Sequence, residues 1–259
     1  MPTRVRLVFE KLSTSDDIVL GTDVHGALSN MVVAPRELDH SVRRWSLAYT
    51  PDHPDDQGRI SCDVLWLDDE ANIMGALAEY EAHTDGLVVF HGHPYLLLDF
   101  SRTDVAAAEE LLHGPVSRAW QWNFLSPTFH VASGTAFLEP RLSTILSGLS
   151  REWSRLNPGA AVDRDVVRRL SDHADLHDAE VHTVTMPMGA RRLPSGAKTH
   201  RGTPLSGYVG SITIRLTDDA QETDARVLSH LSRWAAWTGV GSQTAHGCGT
   251  VTTSPVATT

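Results

Sequence analysis

A glycine-rich segment near the carboxyl end of the sequence could hold an anion. It reads GVGSQTAHGCG from residue 239 to residue 249 and contains four glycines. Glycine adopts positive φ freely and has no Cβ to keep a ligand away from the backbone, and successive N–H groups of such a turn form a concave phosphate site. A flexible connection is the alternative interpretation. The residues predicted to bind phosphate are Gly239, Gly241, Ser242, Gln243, Thr244, Gly247 and Gly249.

This segment differs from two common phosphate-binding loops. No Gly-Lys-Ser/Thr sequence follows its glycines, which excludes a Walker A loop. The segment follows a predicted helix rather than a strand, which excludes a dinucleotide-binding fingerprint. No cofactor is therefore predicted.

Positive charge is concentrated in a second stretch, which ends before the last predicted helix. The chain has 22 Lys and Arg against 32 Asp and Glu, a net charge of -10. Residues 189–216 nevertheless contain no acidic residue and five basic ones, and a basic stretch of this kind is typical of nucleic-acid contacts. A solvated loop is the alternative. The basic residues are Arg191, Arg192, Lys198, Arg201 and Arg215.

Two pairs of histidines have spacings that could ligate a metal ion. His91 and His93 are predicted to lie on one face of a strand, and His173 and His177 are predicted to be neighbours on a helix. The second pair lacks the glutamate of a His-Glu-x-x-His motif. A metal-dependent hydrolase is therefore kept as a lesser alternative, and no metal ligand is assigned.

Composition excludes a membrane protein and a disulfide-stapled scaffold. No apolar run approaches the roughly 18 residues that a membrane span needs, and the first residues alternate as a strand instead of forming a signal peptide. The two cysteines, Cys62 and Cys248, are far apart, as in a reducing compartment. A cytoplasmic protein without membrane contact is expected.

One order of elements, β-α-β-β-α-β, is predicted twice along the chain. This order is the signature of a ferredoxin-like domain, so the predicted fold class is α+β with two tandem ferredoxin-like domains, residues 1–114 and 115–259. In the first domain, strands are predicted over 4–10, 43–50, 59–67 and 86–100 and helices over 23–33 and 68–83. The stretch 86–100 is predicted as one long strand or as a hairpin broken near Pro94. In the second domain, strands are predicted over 117–124, 180–188, 207–216 and 248–252 and helices over 142–156, 163–176 and 225–238. An irregularity is predicted at Gly210 of the third strand, and Gly239 is predicted to end the last helix.

Four segments resemble one family of RNA enzymes. They are the glycine-rich segment, the helix LSHLSRWAAW at 228–237, the strand GYVGSITI at 207–214 and FLSPTF at 124–129. These segments look like those of the CRISPR repeat-processing endoribonucleases, the Cas6 family of the RAMP superfamily. The resemblance implies tandem ferredoxin-like domains, binding of CRISPR precursor RNA at its repeats, and metal-independent cleavage. It further implies that the crRNA product is retained and that other Cas proteins of an effector complex are partners.

The cleavage that the resemblance implies needs a group that moves protons near neutral pH. A ribose 2′-OH attacks the adjacent phosphorus and leaves a 2′,3′-cyclic phosphate and a 5′-OH end, and histidine suits the proton transfer. His25 is predicted in the first turn of the first helix, beside Val24 but off the apolar stripe. The family's catalytic histidine commonly lies at or just before that helix. His25 is therefore the predicted catalytic residue, as base or as acid, with His40 in reserve.

The same resemblance makes RNA the predicted partner of the basic stretch. Arginine and lysine bind phosphates and the grooves of an RNA stem. Four tryptophans, Trp120, Trp122, Trp234 and Trp237, are predicted to be core residues rather than base-stacking ones. A non-catalytic crRNA-binding subunit on the same fold is the main alternative function. The residues predicted to contact RNA here are Arg191, Arg192, Lys198 and Arg201.

Overall fold

The structure is a computed structural model, and it describes residues 2–13, 19, 21–32, 45–48, 55, 57–67, 70–90, 93–105, 108–132, 134–188 and 202–257. The first elements are β1 (Thr3–Lys11), α1 (Gly21–Met31), β2 (Trp45–Ala48), β3 (Arg59–Trp66), α2 (Glu70–Thr84), β4 (Leu87–Phe90) and β5 (His93–Val105). They are followed by α3 (Ala108–His113), β6 (Ala119–Thr128), β7 (His130–Ala132), β8 (Thr135–Phe137), α4 (Leu142–Leu156), α5 (Arg164–Asp172), β9 (Ala174–Met188), β10 (Gly202–Leu216), α6 (Glu222–Thr238) and β11 (Val251–Pro255). Single 3-10 turns cover Pro158–Ala160 and Thr244–His246.

The chain forms two compact units. The first unit contains Met1–Val105, Met186–Leu205 and Ala245–Gly247. The second unit contains Ala106–Thr185, Ser206–Thr244 and Cys248–Thr259. The domain boundary predicted after residue 114 stays a prediction. No helix in the described part of the chain is long and apolar enough to cross a membrane.

The first unit has one antiparallel sheet in the order β2-β3-β1-β5-β4. Strand β1 pairs with β3 so that Val5 lies opposite Val64, and it pairs with β5 on its other side. The four strands β2-β3-β1-β5 have the ferredoxin-like order. Strand β4 is an addition, because the stretch predicted as a strand or a hairpin is a hairpin in which Leu87 pairs with Leu96.

Alternating side chains build the core of the first unit. In β1, Val5, Leu7 and Phe9 are buried while Arg6 is exposed, as the period of two requires. On α1, the predicted apolar stripe is buried. Full burial of each such side chain contributes roughly 1.5–3 kcal/mol, which fixes both the register of β1 and the rotation of α1. The stripe consists of Val24, Ala27, Leu28 and Met31.

The second unit has a four-stranded sheet in the order β11-β6-β10-β9. This is again the ferredoxin-like order, so the predicted tandem fold is confirmed. Strand β6 lies between β10 and β11, with Trp122 opposite Ile212 on one side and Thr253 on the other. The irregularity predicted at Gly210 is a register shift between Tyr208 and Gly210.

Helix α6 covers the sheet of the second unit. Trp120 and Trp122 are buried, and their indole N–H groups donate to Ser229 and Ser232 of α6 at 3.1 Å. These tryptophans are therefore core residues, as predicted. The helix ends where a glycine was predicted to end it, since Gly239 has φ 71° and its N–H still bonds to Ala235 O.

Three local predictions are wrong or incomplete. Helix α5 stops at Asp172, and His177 belongs to β9, so His173 and His177 are not neighbours on a helix. The last strand begins at Val251 instead of residue 248, because the glycines before it keep the backbone in turns with positive φ. The short hairpin of β7 and β8 was not predicted, although Gly134 at its turn has φ 76°.

Candidate active site

Helix α1 presents His25 at the edge of the first unit's core. The helix begins at Gly21, two residues before the predicted start, so His25 lies in the second turn and not in the first. Val24 and Leu28 are buried, and His25 between them is half-buried. The apolar stripe therefore fixes where the imidazole lies.

The first residue of α1 is in direct contact with the segment Ala245–Gly247. A Cβ at Gly21 would collide with the main-chain oxygen of His246, and it would lie 2.9 Å from the carbonyl carbon. Only glycine leaves room for this contact between two backbones. A glycine at position 21 thus allows a segment distant in sequence to lie against the start of α1.

A carbonyl group of that segment fixes the protonation pattern of His25. The Nδ1 atom of His25 lies 3.1 Å from the main-chain oxygen of Ala245. Because a carbonyl oxygen only accepts hydrogen bonds, Nδ1 carries the proton. The Nε2 atom of neutral His25 is then unprotonated. Its contact with the Ser29 hydroxyl is long, at 3.5 Å, and that hydroxyl donates at 2.8 Å to the main-chain oxygen of His25.

A second imidazole lies against the first. The ring centroids of His25 and His246 are 4.0 Å apart, and the ring planes are inclined by 33°. The ring centroid of Trp45 lies 5.6 Å from that of His25. Among the described residues, nothing hydrogen-bonds to the buried Nδ1 atom of His246. His25 is thus held by one hydrogen bond and by ring contacts.

Burial lowers the pKa values of both imidazoles. For His25, loss of hydration lowers the pKa below the ordinary value of 6.5, and the hydrogen bond to Ala245 offsets part of this effect. For His246, burial and a smaller effect of His25 lower the pKa to about 4. Burial is the main cause of the lowered pKa in both cases. Both rings are neutral at pH 7.

Backbone hydrogen bonds of the second unit hold most of the glycine-rich segment. Val240 N donates to Gly249 O at 2.8 Å, and Gly249 N donates to Pro127 O at 3.1 Å. Ser242 N donates to Phe129 O at 2.9 Å. These N–H groups are therefore engaged within the protein. Gly249 has φ 72°, and a Cβ there would collide with Val240 O, so the fold itself requires this glycine.

Only part of the predicted phosphate-binding set faces solvent. The backbone at Gly241 and Gln243 is exposed, and Ser242 is half-buried. Gln243 has φ 62°, in the left-handed region of the backbone. The buried members of the set are Gly239, Thr244, Gly247 and Gly249.

Sequence similarity decides the family. The profile of the family described as CRISPR-associated endoribonuclease Cas6 matches residues 122–251, which is half of the chain. The chain belongs to the Cas6 family. This confirms the resemblance found in the sequence and places the chain among the RNA endonucleases that process CRISPR RNA. No curated protein matches the chain in sequence.

Solved Cas6 structures share the fold over nearly the whole chain. A Cas6 of Thermus thermophilus in a product complex is similar with a TM-score of 0.77 and 20% identity, over 98% of this chain and 99% of that chain. Another Cas6 product complex gives a TM-score of 0.74 and 21% identity over 98% and 99%. The substrate mimic complex of that second Cas6 gives 0.71 and 21% over 98% and 99%.

Several residues predicted for a Cas6 site lie outside the described residues. They are His40, Arg191, Arg192, Lys198 and Arg201. Their roles stay predictions. His91 of the alternative metal site is also outside the described part, and within that part no three His, Cys, Asp or Glu side chains are placed to hold a metal ion.

Sequence reasoning on the Cas6 resemblance missed His246. This histidine lies within the glycine-rich segment that carried the resemblance, but only its glycines and polar neighbours were assigned a role. The sequence feature that could have identified it is the presence of a histidine within that segment. Its contact with His25 depends on tertiary structure, which periodicity does not encode.

Proposed function

We propose that this Cas6 family member cleaves CRISPR precursor RNA within its repeats without a metal ion and retains the product. The ribose 2′-OH attacks the neighbouring phosphorus, the bond from phosphorus to the 5′ oxygen breaks, and the ends are a 2′,3′-cyclic phosphate and a 5′-OH. His25 takes the proton of the 2′-OH. The departing 5′ oxygen takes a proton from water.

The observation that carries this proposal is the fixed tautomer of His25. A general base must hold its lone pair ready at the operating pH. The Ala245 carbonyl keeps the proton on Nδ1, and burial keeps the imidazole neutral, so Nε2 is the atom that accepts the proton. These two features favour the role of base over the role of acid, which the sequence left open.

His246 acts in this proposal by positioning His25. Its ring covers one side of the His25 imidazole at 4.0 Å, and its main chain lies against Gly21 at the start of α1. With a pKa of about 4, His246 is in its neutral form at neutral pH and lacks the imidazolium proton that a general acid donates. Its contribution is therefore to exclude water from His25 and to fix the ring.

The RNA contacts are proposed for two groups of residues. The exposed turn of the glycine-rich segment offers donors at Gly241, Ser242 and Gln243. The basic stretch supplies the cations, so that replacing Arg191 and Arg192 by alanine is expected to weaken affinity and its salt dependence. The other proposed contacts are Lys198 and Arg201, while the buried Gly239, Thr244, Gly247 and Gly249 are proposed to hold the exposed turn in position for the RNA.

Cleavage is expected to survive EDTA and to fail on a substrate with a single 2′-deoxy nucleotide at the cut site. The reason is that the nucleophile belongs to the RNA itself. The measurement is single-turnover cleavage of a repeat hairpin, with mass determination of the 2′,3′-cyclic phosphate end. Loss of cleavage in EDTA would favour the metal-dependent hydrolase, and undiminished cleavage of the deoxy substrate would reject the intramolecular attack. Tight binding of both RNAs without scission would favour the non-catalytic subunit.

Replacing His246 by alanine is expected to raise the pKa of His25 toward 6.5, because the imidazole gains water. Nuclear magnetic resonance titration of the RNA-free protein measures this pKa directly. Since neutral His25 is the active form, kcat/KM rises with pH through this pKa and is level above it. The acid limb of the wild type therefore lies below pH 6.5, and that of His246→Ala moves to higher pH.

The matched variant is His246→Phe, which keeps an aromatic ring and removes a buried nitrogen that lacks a partner. It is expected to retain both the low pKa of His25 and the cleavage rate. An equal loss of rate in the phenylalanine and alanine variants would instead make His246 a proton carrier. An unchanged His25 pKa in His246→Ala would remove its positioning role.

A further inference from the structure

The second unit has a groove between α4 and α5 that the proposed reaction does not use. Its volume is about 740 Å³. None of the described residues that line it is acidic. Its polar lining consists of three serines and three arginines, namely Ser147, Ser150, Ser154, Arg151, Arg155 and Arg164.

Short-range hydrogen bonds hold the walls of the groove together. The indole N–H of Trp153 donates to Ala160 O at 2.8 Å, which ties the connection after α4 to the helix. Val162 N donates to the hydroxyl of Ser154 at 3.1 Å. These bonds fix the connection after α4 against that helix, and Trp153 is buried beneath it, so this side of the groove is a formed feature of the unit.

The polar residues of α4 form a stripe along one side of the helix. The residues of this stripe are spaced three and four apart, at positions 147, 150, 151, 154 and 155. This spacing places their side chains on one face of the helix. The neighbouring face of α4 is apolar and buried, with Ile145, Leu149 and Trp153 in the core. The stripe thus borders the core, and α5 closes it from the other side with Arg164.

Two of the three arginines of the groove have no acidic partner among the described residues of the second unit. In the part of the second unit that the structure describes, Arg151 and Arg164 have no carboxylate within 4.0 Å. Arg155 lies at 4.0 Å from one oxygen of Glu152, and the other oxygen of Glu152 accepts a hydrogen bond from Thr238 at 2.7 Å. The groove therefore keeps positive charge in a chain whose net charge is -10.

Other arginines on the same helices of this unit are paired. Arg168 is 3.0 Å from Asp165, and Arg169 is 2.9 Å from the buried Asp224. Neither of these two arginines lines the groove. Arg151 and Arg164 of the groove thus differ from these two paired arginines of α5.

The chemistry of the lining suits a phosphodiester backbone. Guanidinium groups bind phosphate oxygens through two parallel hydrogen bonds, and serine hydroxyls add single donors. Arg151 and Arg155 are four residues apart, or about 6 Å along the helix axis, so they can meet different phosphates of one strand. Because the chain belongs to a family of RNA endonucleases, an RNA strand is the polyanion that this lining is taken to bind.

We propose that the groove between α4 and α5 binds the phosphate backbone of the repeat RNA, as an RNA site additional to the residues that cleave. This inference rests on the proposed function, because it takes RNA as the ligand. The site adds affinity and does not take part in the chemical step. The ligand is recognised by its charge and backbone, so no base preference is expected from it.

The test compares the affinity of repeat RNA for the wild type and for the double variant Arg151→Ala with Arg164→Ala. The RNA carries a 2′-deoxy nucleotide at the cut site, so that binding is measured without cleavage. We expect Kd to rise about tenfold at moderate salt and the slope of log K against log salt to fall by about two, one for each lost phosphate contact. The cleavage rate of all-ribose RNA at saturating protein is expected to stay at the wild-type value.

Two control variants make the result specific. Arg168→Ala removes a paired arginine of α5 outside the groove and is expected to leave Kd and slope unchanged. Arg151→Lys with Arg164→Lys keeps the charges and is expected to keep the salt slope. Circular dichroism establishes that each variant is folded.

The outcomes separate this inference from the proposed function. A wild type that neither binds nor cleaves repeat RNA would overturn the proposed function. A wild type that binds and cleaves, together with a double alanine variant of unchanged Kd and slope, would overturn the groove site alone. A loss of affinity that the Arg168→Ala variant shares would do the same, because the effect would then be general charge.

Discussion

His25→Ala is expected to lose RNA cleavage by about 10²- to 10⁴-fold, the range that a positioned general base contributes, while keeping its affinity for the repeat. In the proposed mechanism His25 is the only residue that accepts a proton. Its Nε2 atom is unprotonated because Nδ1 carries the proton that it donates in the hydrogen bond to Ala245 O. Single-turnover cleavage at saturating protein measures the rate, and binding of the 2′-deoxy RNA measures affinity.

The matched control is His83→Ala. His83 is also a helix histidine of the first unit with a ring nitrogen near a carbonyl oxygen, at 2.7 Å from Glu79 O, but it is exposed. Its replacement is expected to leave cleavage unchanged. If His25→Ala cuts RNA at the wild-type rate, His25 is not the base; if both variants lose activity together, the loss is not specific to the site.

Gly21→Ala is expected to reduce cleavage on the order of 10²-fold, the effect of a catalytic group displaced by about 1 Å. The added methyl group collides with the main-chain oxygen of His246, so either α1 or the segment Ala245–Gly247 must move. Movement of either one lengthens the contact of His25 with Ala245. The measurement is the single-turnover rate together with the His25 pKa, which is expected to rise as the ring gains water.

Gly26→Ala on the same helix is the control for this effect. Nothing lies within 4 Å of a Cβ at Gly26, and alanine stabilises a helix by about 1 kcal/mol relative to glycine. The expected result is full activity and a slightly higher melting temperature. Full activity of Gly21→Ala would show that the contact with His246 is dispensable.

Much of the fold was predictable because it depends on short-range patterns. The alternation in β1 and the apolar stripe of α1 each follow from one face being buried. Helix α4 has the predicted bounds, 142–156, since its apolar and polar faces are well separated. The order of these elements then allowed the ferredoxin-like topology to be inferred twice.

The candidate site was only partly predictable, for physical reasons. His25 was found because it departs from the apolar stripe of α1, but its tautomer depends on a carbonyl 220 positions later in the sequence. The glycines of the segment 239–249 predicted a special backbone correctly, yet the backbone bonds of Val240 and Gly249 show that part of it is needed for the fold. Local sequence patterns do not predict which main-chain groups will contact which side chains when the two are distant in sequence.

The late position of Ala245 has a consequence for the protein as it is being synthesised. Ribosomes add roughly 5–20 residues per second, so His25 exists for roughly ten seconds or more before the carbonyl that orients it has been made. During that interval the strands of the first unit are already available, but the imidazole has no fixed proton. A polypeptide released early would carry the histidine without its orienting carbonyl. The proposed base is thus oriented only after residue 245 has been added to the chain.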